Sequence, residues 1–270
     1  MADLIIGRNA CTEALRSGRK IRGLLLQKRS GKEASRGKGN PGGARSGPKG
    51  QSAEGALAKI AAMAEEQGIP VEYRDRQELD RLAEGAAHQG VIAMAEEYSY
   101  SSVEEILAFA RKKEEPPLLV ILDGLEDPHN LGAILRTAEC AGVHGVIIPK
   151  NRSVRVNQTV WKTSAGAAQH VRCAQVTNLS RLIGQLQEEG IWVCACDMDG
   201  GTCWETDLTG PLAIVIGSEG RGISRLVREH CDLAVSIPLH GQVNSLNASN
   251  AAAVIIYEAL RQRTEGGSHG

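Results

Sequence analysis

The chain has 270 residues, 42% of them hydrophobic, and a formal net charge of −1. That length and apolar content leave room for two domains, and a single Phe puts the packing on Leu, Ile, Val and Ala. No apolar run reaches about eighteen residues and no apolar leader opens the chain, so a soluble cytoplasmic protein without a membrane-spanning helix is expected.

The charge is unevenly spread. Residues 1–50 carry twelve Lys/Arg against three acids, a net +9, so residues 51–270 carry −10. A basic end on an acidic body points to a segment that approaches a polyanion. The seven cysteines are odd in number, irregularly spaced and without a CxxC, and the seven histidines add no zinc spacing. Free buried thiols and no metal site are expected.

In chain order, Asn9 to Ser17 reads as a short helix and IRGLLLQ as a strand. Arg29 to Gly55 has eight glycines, two prolines and no large apolar side chain, so a disordered insertion is expected there. A helix (Gly55 to Gln67), the strand VEYRD, a helix (Gln77 to Glu84) and the strand region HQGVIAMAEE complete a small α/β domain over 1–100. An amphipathic helix follows from Ser101 to Lys113, and the run Glu114-Glu115-Pro116-Pro117 marks a boundary, so 101–117 is expected as a linker. From Leu118 to Arg263 apolar strands alternate with helices: LLVILDGL, VHGVIIPK, IWVCACD, PLAIVIGS and LAVSIPL. That rhythm predicts an α/β domain with a parallel sheet covered on both faces, and a flexible tail over 264–270. Neither GxGxxG after the first of these strands nor GxxxxGK[ST] is present, which argues against a nicotinamide dehydrogenase or a P-loop enzyme.

Three stretches follow strand ends in this second region. DPHNLGAILRTAECAG (127–142) places Asn130 in the first helical turn and leaves Arg136 off the buried stripe. Gly132 costs about 1 kcal/mol in a helix relative to Ala, so a close approach to the backbone is expected there. IVIGSEGRGISRLV (214–227) sets a Gly-rich turn and Glu219 at a strand's end. IPLHGQVNSLNASNAAAV (237–254) runs from a strand through a polar loop into a helix capped by Ser245, Asn247, Ser249 or Asn250. Each has an ordinary alternative: a capped connection, a solvated arginine, a solvated glutamate.

Together, DPHNLGAILRTAECAGVHGVI, IGSEGRGISRLV and IPLHGQVNSLNASNAAAV resemble the three motifs of the SPOUT RNA 2′-O-ribose methyltransferases of TrmH type, over Leu118 to Arg263. With the leading domain ending in HQGVIA, the resemblance extends to the RlmB-like 23S ribosomal RNA guanosine methyltransferase subgroup. Ala248 and Asn250 stand where the family motif has valines, which removes apolar volume but no polar group. The resemblance implies a C-terminal trefoil knot, a ribosomal-protein-like RNA-binding domain in front, and a homodimer with its site near the interface. It implies S-adenosylmethionine held at Gly217, Ile237 and Leu246 without metal, and a catalytic set of Asn130, Arg136, Glu219, Ser245 and Asn247. Arg136 would serve as base or as phosphate clamp; a guanidinium pKa above about 12 weighs against deprotonation, and the clamp is an equally serviceable role. Lys150, Arg152 and Arg155 follow the second strand of this domain and are placed to meet RNA phosphates. Two rivals stand beside this reading: a transfer RNA ribose methyltransferase and a silent RNA-binding scaffold. The leading domain argues against the first and the intact polar set against the second.

Overall fold

The computed structural model describes residues 3–28 and 53–266. The expected disordered insertion therefore lies outside the described residues over 29–52, while 53–55 already belong to a helix. The chain divides into two compact units between Glu97 and Tyr98.

The first unit contains β1 (Asp3–Ile6), α1 (Arg8–Arg16), β2 (Ile21–Gln27), α2 (Ala53–Glu66), β3 (Val71–Arg74), α3 (Arg76–Leu82) and β4 (Val91–Ala95). Its sheet order is β1-β4-β2-β3, with β2 and β3 parallel and the other pairs antiparallel. The LLL run of β2 is buried on both faces, as the two-residue pleat requires. Leu24 and Leu26 pack with Ile60 and Ala64 of α2, while Leu25 packs with Leu79 of α3. β1 is a strand the sequence reading missed, and β4 starts three residues later than expected because 88–90 form the turn that enters it.

The second unit begins at Tyr98, not at Leu118, so 101–117 is no linker. Ser101 joins the sheet through its N–H to Cys173 O (2.9 Å), and α4 (Val103–Lys112) starts with a capping box between Ser102 and Glu105. The apolar face of α4 needs burial, and Ile106 and Leu107 find it on the sheet, with Ala110 buried beside them. A Cβ on Gly145 would stand 2.5 Å from Ile106 Cδ1, so Ile106 fills the space that glycine leaves.

The rest of the unit is β5 (Leu118–Asp123), α5 (Pro128–Cys140), β6 (Gly145–Pro149), α6 (Gln158–Thr163), β7 (Arg172–Val176), α7 (Leu179–Glu188), β8 (Trp192–Thr202), β9 (Leu212–Gly217), α8 (Arg225–His230), β10 (Leu233–Ser236) and α9 (Ala248–Gly266). The six strands are all parallel, in the order β10-β8-β9-β5-β6-β7. Val120 and Leu122 of β5 face a core shared with α5, α6 and α9; Leu119 and Ile121 face one shared with α4, α7 and α8. The expected doubly covered parallel sheet is therefore present. β7 was not anticipated, and α9 extends through 264–266 of the expected tail; 267–270 lie outside the described residues.

One arrangement positions the site. Neighbouring strands β5 and β9 send their following helices to opposite faces, α5 to one and α8 to the other. The crevice left at their C-terminal ends is where open α/β sheets bind ligands.

Candidate active site at the strand ends

Asp127 caps α5, its carboxylate accepting from His129 N (2.9 Å), and Pro128 takes the first helical position. This start puts Asn130 at the crevice, buried to 5% exposure. Arg136 lies six residues on, about 9 Å along the axis, on the exposed side. It makes no hydrogen bond or ion pair with any described residue. Gly132 explains itself differently from a ligand contact: a Cβ there would lie 2.6 Å from Thr163 Cβ and 3.0 Å from Val160 O, so α6 is what approaches.

From β9, Gly217 enters a tight turn. Ser218 and Gly222 exchange backbone hydrogen bonds (3.1 and 2.9 Å), and Gly220 and Gly222 have φ of 77° and 65°. A Cβ on Gly217 would stand 2.2 Å from the carbonyl carbon of Gly222, which leaves room only for glycine. Asp123, at the end of β5, holds the far side of the turn by accepting from Ser224 N (2.7 Å). The turn carries Glu219 to the other two stretches.

Asn130 Nδ2 donates to Glu219 Oε1 (3.0 Å), and Asn247 Nδ2 donates both to Asn130 Oδ1 (3.0 Å) and to Glu219 Oε1. Asn247 Oδ1 meanwhile accepts from Ser249 N (3.0 Å), Ser249 Oγ (2.6 Å) and Asn250 N (3.3 Å), capping α9. Among the four cap candidates, Asn247 therefore does the capping. One amide thus closes a triangle of side chains from three loops and starts a helix.

The remaining expected site residues are near but not bonded into this triangle. Ser245 is exposed and has no hydrogen bond with a described residue. Ile237 is half-buried against the core, and Leu246 remains 39% exposed. Across 238–246 no backbone N–H or C=O is bonded to another described residue, and Leu239 is 38% exposed. Free backbone donors and acceptors beside accessible leucines suit a ligand with an aromatic face and polar edges. Ala248 is buried and Asn250 exposed, so the departures from the valine motif bury no unpaired polar side chain.

Lys150, Arg152 and Arg155 are exposed just beyond β6, which neighbours β5, so they stand on the same edge of the sheet as Asn130. A cavity of about 210 Å³ opens between the two loops, lined by Gly124, Glu126, Asn130, Ser218, Glu219 and Arg221. Sequence reading did not single out Glu126, Arg221 or Asp123; each is an ordinary charge at or just after a strand end until the turn is folded. A larger cavity, about 600 Å³, lies among Leu118, His144 and Arg263 at the opposite strand ends, away from these loops. All seven cysteines are free, and burial pushes the Cys173 and Cys194 thiols up to about 12. Among the described residues no group of three His, Cys, Asp or Glu is set to hold a metal, and no helix is long and apolar enough to cross a membrane.

Residues 117–257 match the SpoU rRNA methylase family, and 49–101 match the substrate-binding domain of RNA 2′-O ribose methyltransferases. A Bacillus subtilis protein assigned to the TrmH family of tRNA/rRNA methyltransferases, YacO, is 41% identical over 97% of this chain and 96% of its own. The SpoU methyltransferase AviRb from Streptomyces viridochromogenes, solved with AdoMet, superposes with a TM-score of 0.70 at 25% identity, covering 97% of this chain and 90% of that one. The A. aeolicus TrmH/SpoU tRNA modifying enzyme gives 0.52 at 30% identity, covering 61% of this chain and 85% of that one. The order of the three stretches, the leading substrate-binding domain and the whole-chain relatives agree: this chain belongs to the SpoU/TrmH family of RNA methyltransferases.

Proposed function

We propose that the chain transfers a methyl group from S-adenosylmethionine to the ribose 2′-hydroxyl of a guanosine in 23S ribosomal RNA. The observation that carries this reading is the triangle of Asn130, Glu219 and Asn247, with Arg136 farther along the same helix as Asn130 and without a partner among the described residues. The cofactor supplies an electrophilic methyl on a sulfonium, and no metal enters the reaction. Its seat is the backbone of 238–246 with Gly217, Ile237 and Leu246, where open polar groups lie beside apolar side chains.

A ribose hydroxyl attacks only as its proton is shared or removed. Arg136, with no partner among the described residues, meets the hydroxyl and the adjacent phosphate; it steadies the charge that grows on oxygen while the phosphate takes the proton and passes it to solvent, and the cofactor leaves as its neutral thioether. Asn130, Glu219 and Asn247, already bonded to one another, hold the ribose edge without reorganising, and Ser245 offers a further hydroxyl. Lys150, Arg152 and Arg155 carry the flanking phosphates along the same edge.

The leading domain favours ribosomal over transfer RNA, since the A. aeolicus tRNA enzyme aligns with only 61% of this chain. The trefoil knot has one support: β10 lies at the sheet edge beyond β8, yet Asn247, eleven residues past Ser236, reaches the ends of β5 and β9. The segment must recross the strand ends before α9 packs with α5 in one core. The protein works in the cytoplasm as a homodimer, with half-exposed Tyr257 of α9 on the surface offered to a second copy.

The test is single-turnover methylation of RNA from a strain lacking the gene, digested to nucleosides, alongside cofactor calorimetry in chelator. Wild type should form 2′-O-methylguanosine. Arg136→Ala should bind cofactor normally and lose transfer by about a hundredfold or more, and Arg136→Lys should recover little, because a point charge lacks the planar fork. Near wild-type turnover in Arg136→Ala removes the catalytic assignment.

A further inference from the structure

The cavity between the two loops has a feature the reaction centre does not use. Glu126 lines it from the loop after β5, and Arg221 from the turn after β9. Both side chains are exposed, and neither forms a hydrogen bond or ion pair with a described residue. Opposite charges on one cavity that do not pair leave a gap for something that satisfies both. Glu219 and Asn130, on the same wall, are already committed to each other and to Asn247.

The volume limits what can enter. About 210 Å³ is below the roughly 300–1,000 Å³ usual for whole cofactors and drug-sized ligands. It suits a single nucleobase. An enzyme that acts on one nucleotide must draw it from its stack, and unstacked bases are read along their hydrogen-bonding edges.

Charge then selects the base. Guanine alone offers two donors together, N1–H and the N2 amino group, to a carboxylate, and two acceptors together, O6 and N7, to a guanidinium fork. Adenine presents an acceptor at N1 and a donor at N6, so neither Glu126 nor Arg221 would find two partners. Uracil offers one donor and no N7. We infer that Glu126 and Arg221 form a base-reading subsite that admits guanine, set beside the ribose held at Asn130. This rests on the ribose methyltransferase reading above and adds the residues that choose the nucleotide.

The experiment uses the full-length protein and a synthetic RNA hairpin around the mapped target, with that nucleotide as guanosine, inosine or adenosine. Inosine keeps O6, N7 and N1–H but lacks the N2 amino group. Wild type should methylate guanosine at least tenfold faster than inosine and faster still than adenosine. Glu126→Gln should narrow the guanosine-to-inosine gap at least tenfold, and Arg221→Ala should slow guanosine and inosine alike. Cofactor affinity should not move in either variant. An unchanged guanosine preference in Glu126→Gln overturns the subsite, and so does a wild type that favours another base. Weakened cofactor binding in either variant would assign the cavity to the cofactor and also overturn it. Arg136→Ala separates the two claims: if it is inactive while Glu126→Gln keeps full discrimination, the subsite alone falls.

Discussion

Arg136 and His144 show how the same helix-and-strand unit treats two titratable side chains. Arg136 falls off the buried stripe of Leu131, Ile134, Leu135 and Ala138, so it is left to solvent and to whatever binds there. His144 is buried, with Nδ1 accepting from Leu118 N (3.0 Å) and Nε2 beside Glu115 Oε2 (3.0 Å). Burial is the main force and holds its pKa below the ordinary histidine value, against the pull of Glu115. The folded protein therefore takes up a proton at lower pH than the unfolded chain does. Stability is full above about 6.5, the unfolded value, and is lost as pH falls from there toward the depressed folded value. Melting temperature measured between pH 7.5 and pH 5 should drop for the wild type, and the drop should be shallower in His144→Gln. Arg136's position off the stripe was legible from 3.6-residue spacing alone. His144 was not, because its tautomer and partner depend on Glu115, a residue 29 positions away.

At the scale of elements, glycine and the apolar faces decide where the loops go. Gly217→Ala should shift the 218–222 turn, since its Cβ would meet the Gly222 carbonyl carbon at 2.2 Å. Glu219 rides on that turn, so turnover should fall on the order of a hundredfold, and because the clash is with backbone the melting temperature should fall as well. α4 gives the opposite test. Ile106→Ala should cost roughly 2–5 kcal/mol in a denaturant titration, because Ile106 fills the space over Gly145; a linker helix would lose almost nothing. Strands with unbroken apolar runs, such as LLVIL and LAIVI, were legible in the sequence. β7 was not: RCAQV has two polar residues in five and follows a six-residue helix, so neither period stands out. The end of β8 was also hidden, because its partner β10 skips from Ala195 to Gly201 between Ala234 and Val235.

For the whole molecule, the division of charge matters more than its sum. Residues 29–52 carry six Lys/Arg and one acid. Deleting them should leave the melting transition in place and weaken RNA binding most at low salt. A net +5 removed should flatten the slope of log affinity against log salt by up to about 3.5, taking roughly 0.7 per contact for single strands. An unchanged slope would show that this basic segment does not touch RNA. The family and its parallel sheet were readable because three motifs sit at three strand ends. The division at Glu97 was not, since a Glu-Pro boundary at 114–117 looked stronger than the irregular stretch at 96–100.

The triangle has a consequence in time as well as in space. Asn130 and Glu219 are 89 residues apart, and Asn247 is 117 from Asn130. During synthesis, strands β5 through β9 can be complete while their loops still lack the amide that joins them. A ribosome that releases the chain at residue 240 would deliver a sheet with two of its three strand-end loops and no closed centre. On the site proposed above, methyl transfer would wait until Asn247 has been made, after every strand of the sheet.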